Sequence, residues 1–109
     1  MAYSESLAQR VRALLYPLTT AEEKKMFGGV AFMVSGNMTV GVLHDELIAR
    51  VGLKKYEDSL RKPGADLFQP TGKPMAGWVT IASDGYQTDE DLKHWIELAL
   101  EFVKTLPVK

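Results

Sequence analysis

Residues 26–43 constrain the fold most, because two β-prone runs flank the dipeptide Gly36-Asn37. A two-residue loop that begins with glycine is typical of a type II′ hairpin turn, since only glycine takes the positive φ of the first position without a steric cost. Apolar residues occupy both alternating faces of each run. A strand that is apolar on both faces must be covered on both, so the hairpin is predicted to lie in the middle of a sheet.

The register of this hairpin follows from the turn. If Ser35 and Met38 close it, Phe32 lies opposite Gly41, and every other pairing is fixed with it. One face would then carry Val30, Phe32, Val34 and Leu43, and the other Ala31, Met33, Met38, Val40 and Val42.

Helical periodicity and turn residues define the remaining elements. Ser4 is predicted to begin a first helix that Pro17 ends, and Thr88 to cap a last helix. The apolar stripe of that last helix is Leu92, Trp95, Ile96, Ala99, Leu100 and Val103. Residues 53–62 predict a short middle helix, and residues 47–51, 65–68 and 78–82 predict strands. The predicted order is α-β-β-β-α-β-β-α, which is an α+β fold with helices packed on an antiparallel sheet.

Length and composition exclude several classes of protein. The 109 residues predict a single domain over 1–109, and the net charge of −1 gives no global attraction to nucleic acid or an anionic membrane. The sequence has no cysteine, which removes disulfides and thiolate chemistry and fits a reducing compartment. We find no signal-peptide pattern and no apolar run near the ~18 residues of a membrane span, so we expect a cytoplasmic protein.

Catalytic and metal-binding patterns are weak. His44 stands beside Asp45 and Glu46, but this is an ordinary composition for a solvated turn, and no second histidine or cysteine is near it in sequence. Gly72-Lys73 is followed by proline instead of serine or threonine, so it does not match a phosphate loop. We therefore expect no catalytic residues, no metal and no cofactor.

Basic residues give one candidate binding surface. If Lys24, Lys25, Arg50 and Lys73 converge, they could bind phosphate, nucleic acid or an acidic partner. The alternative is an ordinary charged surface balanced by 14 acidic residues. Arg50 lies within an otherwise apolar run, and an unpaired buried charge is costly. A salt bridge to a carboxylate is therefore our first expectation for this side chain.

Apolar residues give a second candidate surface. Met26, Phe27, Met75 and Trp78 flank glycine-rich backbone, and they could line a groove for a segment of a partner protein. The alternative is that they are ordinary core residues, since methionine and tryptophan are common in packing.

The same segments resemble a known family. Residues 26–29 (Met-Phe-Gly-Gly) and residues 71–78 (Thr-Gly-Lys-Pro-Met-Ala-Gly-Trp) are similar to motifs of the TfoX (Sxy) N-terminal domain, and the resemblance extends over essentially the whole chain. The resemblance implies a secretion-chaperone-like α+β fold. It supplies no catalytic residues, and related folds often form homodimers.

The family's namesakes resemble regulators of natural competence that act with a transcription factor, and they carry a second, helical C-terminal domain. This chain is expected to be a stand-alone member without that domain. The resemblance therefore predicts a small regulatory module that binds a protein partner of unknown identity. Nucleic-acid binding through the basic residues is the alternative, and an enzyme acting on a small molecule has the least support.

Overall fold

A computed structural model describes residues 3–26 and 28–108. Within these residues the chain forms three α-helices and six strands. In chain order they are α1 (Glu5–Leu15), β1 (Glu22–Met26), β2 (Gly29–Val34), β3 (Asn37–Leu43), β4 (Glu46–Arg50), α2 (Leu53–Leu60), β5 (Ala65–Leu67), β6 (Trp78–Ile81) and α3 (Asp89–Val103).

The six strands form one antiparallel sheet in the order β1-β2-β3-β4-β6-β5. The first four strands are a meander, and β6 joins it beside β4 with β5 at the far edge. The predicted α+β class is confirmed, but the predicted order lacks one strand. No strand is predicted between Pro17 and the central hairpin, whereas β1 begins at Glu22. As an edge strand exposed on both sides, β1 has no apolar alternation that would identify it in the sequence.

The central hairpin forms as predicted, but its turn lies one residue earlier. Ser35 and Gly36 occupy the turn with φ of 53° and 81°, and Val34 pairs with Asn37. Two positive φ values correspond to a type I′ turn, not the expected type II′ turn. The side chain of Asn37 is buried, and its Nδ2 donates to the carbonyl oxygen of Pro107 at 2.9 Å. Asn37 therefore ties the hairpin to the end of the chain.

This shift and a register irregularity between Phe32 and Met33 change the pairing. Phe32 lies opposite Val40, and Val30 lies opposite Val42, so the predicted Phe32–Gly41 and Met33–Val40 pairs are wrong. Opposed residues share a face of the sheet. The valines of β3 therefore join the face of Val30, Phe32 and Val34, from which the prediction had excluded them.

Helices α1 and α3 cover that face and enclose the core. Ser4 Oγ accepts from the amide of Leu7, and Thr88 Oγ1 accepts from the amide of Asp91, so both predicted N-caps are confirmed. The six predicted stripe residues of α3 are all buried. We call this side of the sheet the helix-covered face.

An ion-pair network ties the edge strand β1 to α1. The guanidinium of Arg12 donates to both carboxylate oxygens of Glu23, at 2.7 and 2.8 Å, and to Glu5 at 2.7 Å. Tyr16 also donates to Glu23. These bonds favour the charged carboxylate, so the hydrogen bond from Arg12 lowers the pKa of Glu23, and the same carboxylate raises the pKa of Tyr16.

Candidate functional site

The opposite face of the sheet carries an open apolar groove of about 510 Å³. We call this side the groove face. The lining residues are Met26, Gly29, Val30, Ala31, Met38, Gly41, Val42, Leu43, Ile48, Phe68, Pro70, Thr71, Met75 and Trp78. Among these described residues, the polar side-chain groups are the hydroxyl of Thr71 and the indole N–H of Trp78, so the lining is almost wholly apolar.

Small residues shape the floor of the groove. Gly41 and Ala31 lie opposite each other on neighbouring strands, and Gly29 lies opposite Met26. A Cβ on Gly29 would stand 2.5 Å from the carbonyl oxygen of Val42. The backbones of β2 and β3 therefore approach closely here only because glycine is present. Short side chains on the floor leave the concavity between longer ones.

A loop over residues 68–77 forms one wall of the groove. The amide of Met75 donates to the carbonyl oxygen of Phe68 at 2.9 Å, which closes the loop on itself. The carbonyl oxygen of Gly77 accepts from the amides of Val51 at 2.8 Å and Gly52 at 3.0 Å, which fixes the loop to the end of β4. The motif over residues 71–78 thus builds the wall.

The structure brings together most of the apolar residues named from the sequence. Met26, Met75 and Trp78 line the same groove although they lie on β1, the loop and β6. Phe27 lies outside the described residues. Sequence reasoning missed Ile48, Leu43 and Phe68, since alternation within one strand does not show which strands become neighbours.

Arg50 lies beside the groove and differs from its prediction. Its guanidinium carbon lies 5.0 Å from the ring centre of Trp78 and 5.5 Å from that of Phe102. The expected salt bridge is wrong: none of the ion pairs among the described residues includes Arg50. Two aromatic rings stabilise this cation instead. A smaller cavity of about 80 Å³ is lined by Arg50, Gly52, Leu53, Ala76, Gly77, Trp78 and Phe102.

The predicted cations do not form one continuous patch. Lys24 and Lys25 are consecutive residues of β1, so their side chains point to opposite sides of the sheet. Two strands separate β1, which carries Lys24, from β4, which carries Arg50, so these two strands lie about 14 Å apart at the usual strand spacing. Lys73 is exposed in the loop over residues 68–77.

Neither a metal-binding cluster nor a membrane-spanning helix is present in the part of the chain that the structure describes. Within 3–26 and 28–108, no group of three or more histidine, cysteine or acidic side chains is placed to hold a metal ion. In the same part of the chain, no helix is long and apolar enough to cross a membrane.

Comparison with known proteins identifies the family. The family model described as the TfoX N-terminal domain matches residues 13–103, which include every strand, α2, α3 and the whole groove lining. A search of curated proteins found no matching sequence. The family match agrees with the fold and with both motifs, and the chain therefore belongs to the TfoX N-terminal domain family.

Proposed function

We propose that this protein is a small, non-enzymatic regulatory module that binds a segment of a partner protein in the groove on its groove face. The observation that supports this most is the apolar lining of an open groove of about 510 Å³. Proteins rarely leave a concave apolar surface open to water without a ligand or a partner that covers it.

The lining residues favour binding over catalysis. Among the described lining, Thr71 is the sole hydroxyl, and histidine, acidic and basic side chains are absent. General acid–base catalysis needs a titratable group within hydrogen-bond reach of the substrate. Met26, Met38 and Met75 instead supply flexible thioether side chains, which adapt to the shape of a bound segment.

The groove can be tested with one substitution and a matched control. Met75 lies at the mouth of the groove and is 37% exposed, so Met75→Glu places a charge there without entering the core. Leu18 lies after α1, outside the groove lining, and is 40% exposed. Leu18→Glu is therefore the same kind of change at an unrelated surface.

The experiment is a pull-down from a lysate of the source organism with the wild type and both variants, read by mass spectrometry. We expect a partner that the wild type and Leu18→Glu retain equally and that Met75→Glu loses. The purified partner should then bind the wild type in calorimetry. Retention of every captured protein by Met75→Glu would contradict the groove as the binding surface.

Nucleic-acid binding has less support from the geometry, because Lys24 and Lys25 point to opposite sides of β1, Arg50 lies on β4 and Lys73 lies in a loop. It stays a hypothesis, which predicts salt-sensitive retardation of DNA or RNA in a gel. A homodimer is a further prediction, for which sedimentation at increasing protein concentration is the test. A cytoplasmic location belongs to the same proposal and rests on the cysteine-free sequence.

A further inference from the structure

Arg50 differs from the other three arginines of the chain. Arg10, Arg12 and Arg61 each form an ion pair with a carboxylate, whereas no described carboxylate lies within 4.0 Å of Arg50. The net charge of −1 leaves no shortage of acidic residues in the sequence. Among the described residues, Arg50 therefore lacks the acidic partner that the other three arginines have, and it lies beside the groove.

The rings around Arg50 leave its hydrogen-bonding edge for another group. Cation–π contacts use the flat faces of the guanidinium, whereas its five N–H donors point outward in the plane. The guanidinium carbon lies 5.0 Å from the ring centre of Trp78 and 5.5 Å from that of Phe102, and the guanidinium donates no hydrogen bond to a described protein atom. A planar cation held in this way suits two parallel hydrogen bonds to a carboxylate.

The cavity beside Arg50 has a suitable size and position. Its volume of about 80 Å³ has room for a carboxylate. Trp78 lines both this cavity and the groove, so a ligand can occupy the two together. Ile48 and Arg50 are two residues apart on β4, so their side chains lie on the same face of the sheet, about 7 Å apart along the strand. A peptide with an acidic residue close to a large apolar residue matches this spacing.

The charges along the groove face favour one orientation of a bound acidic peptide. Glu46 begins β4 and Arg50 ends it, which places them about 13 Å apart along the strand. Asp66 lies opposite Thr80 near the β5 edge, and Lys24 lies on β1 at the other edge. A carboxylate is attracted to the Arg50 end and repelled from the Glu46 end.

We propose that the partner segment is an acidic–apolar peptide, whose large apolar side chains fill the groove and whose carboxylate binds Arg50. This inference rests on the proposed function, because it specifies the chemistry of the ligand for the same groove. The charge complementarity of Arg50 selects this ligand over a purely apolar one.

The test is a selection of displayed random peptides on the immobilised wild-type chain, followed by anisotropy measurements with the selected peptide in synthetic form. We expect the selected sequences to share an acidic residue within a few positions of a large apolar residue. Arg50→Ala should weaken binding of the synthetic peptide about tenfold, which is about 1.4 kcal/mol, since it removes hydrogen bonds between charged groups. Arg61→Ala removes a solvent-exposed arginine elsewhere and should leave binding unchanged.

Replacing the acidic residue of the peptide by its amide gives the specific readout. The amide peptide should bind the wild type about tenfold more weakly than the acidic peptide does. Arg50→Ala should not weaken binding of the amide peptide any further, because Arg50 and the peptide carboxylate form one contact. Peptides that need Met75 but show no acidic preference, or equal effects of Arg50→Ala and Arg61→Ala, would overturn the inference and leave the proposed function standing. A selection that returns no peptide dependent on Met75 would contradict both.

Discussion

The two faces of the sheet differ in how they are covered: helices pack on one, and the other carries an open groove. On the helix-covered face, α1 and α3 enclose Phe32, Val40 and the other core residues, which are almost fully buried. On the groove face the same strands present short side chains and an open apolar concavity. Because neighbouring residues in a strand point to opposite sides, the chain can use alternate positions for stability and for binding.

The largest expected effect is on the helix-covered face. Phe32 is 0% exposed and lies in the middle of the sheet, with its ring edge-to-face to Tyr16 at 6.4 Å. Phe32→Ala should lower the free energy of unfolding by about 3–5 kcal/mol, because it removes a buried ring and leaves a cavity. Met75→Ala on the groove face should lower it by less than about 1 kcal/mol. Urea unfolding of both variants measures the contrast, and equal losses would contradict the division between the faces.

A smaller effect is expected at the link between the two faces. Strand β1 carries Met26 in the groove and Glu23 on the helix-covered side, where Arg12 binds it. Arg12→Ala should lower the free energy of unfolding by about 1 kcal/mol at neutral pH, the upper range for a partly exposed pair with good geometry. Asp58→Asn, which removes an ion pair whose two side chains are 72% and 77% exposed, should cost less.

Acid should remove the same contribution. The pKa of Glu23 is lowered in the folded protein from its usual 4.5. Its stabilising effect is therefore complete above the pKa of the unfolded chain and is lost as the pH falls through the lower, folded value. Glu23→Gln should reduce the dependence of stability on pH in this acidic range. A pH profile of urea unfolding that is identical for wild type and Glu23→Gln would show that this carboxylate does not stabilise the fold.

The smallest effect on stability is expected at the mouth of the groove. Met75→Glu should change the free energy of unfolding by no more than about 0.5 kcal/mol, because the side chain is already partly in water. Its thermal unfolding should therefore resemble that of Leu18→Glu. Loss of partner binding without loss of stability would separate the two faces most sharply, whereas a strongly destabilised variant would place Met75 within the structural core.

Local signals in the sequence predict much of the helix-covered face. Caps at Ser4 and Thr88 and the apolar stripe of α3 are sufficient to place the outer helices, since each is encoded within a few residues. The hairpin register is not encoded in this way. Asparagine is a common turn residue, but the side chain of Asn37 is bonded to the carbonyl oxygen of Pro107, seventy positions away. The turn is formed by Ser35 and Gly36 instead.

The groove is harder to predict for the same reason. Met26, Met75 and Trp78 were named because they flank glycine-rich backbone, and they do line one surface. The other lining residues depend on which strands become neighbours in the sheet. Strand β1 was not predicted, because an edge strand exposed on both sides has no apolar pattern. Among the described residues, Arg50 contacts aromatic rings and no carboxylate, and one of these rings is Phe102 of α3, which the sequence does not place beside β4.

Acrylamide quenching of Trp78 fluorescence, with and without the captured partner, tests the central claim most directly. Trp78 lines the groove, whereas Trp95 belongs to the buried stripe of α3 and donates its Nε1 proton to the carbonyl oxygen of Gly85 at 3.1 Å. In a Trp95→Phe variant that retains native circular dichroism, we expect Trp78 to be readily quenched in the free protein and protected when the partner binds. Quenching that stays unchanged at saturating partner would contradict the groove as the binding surface.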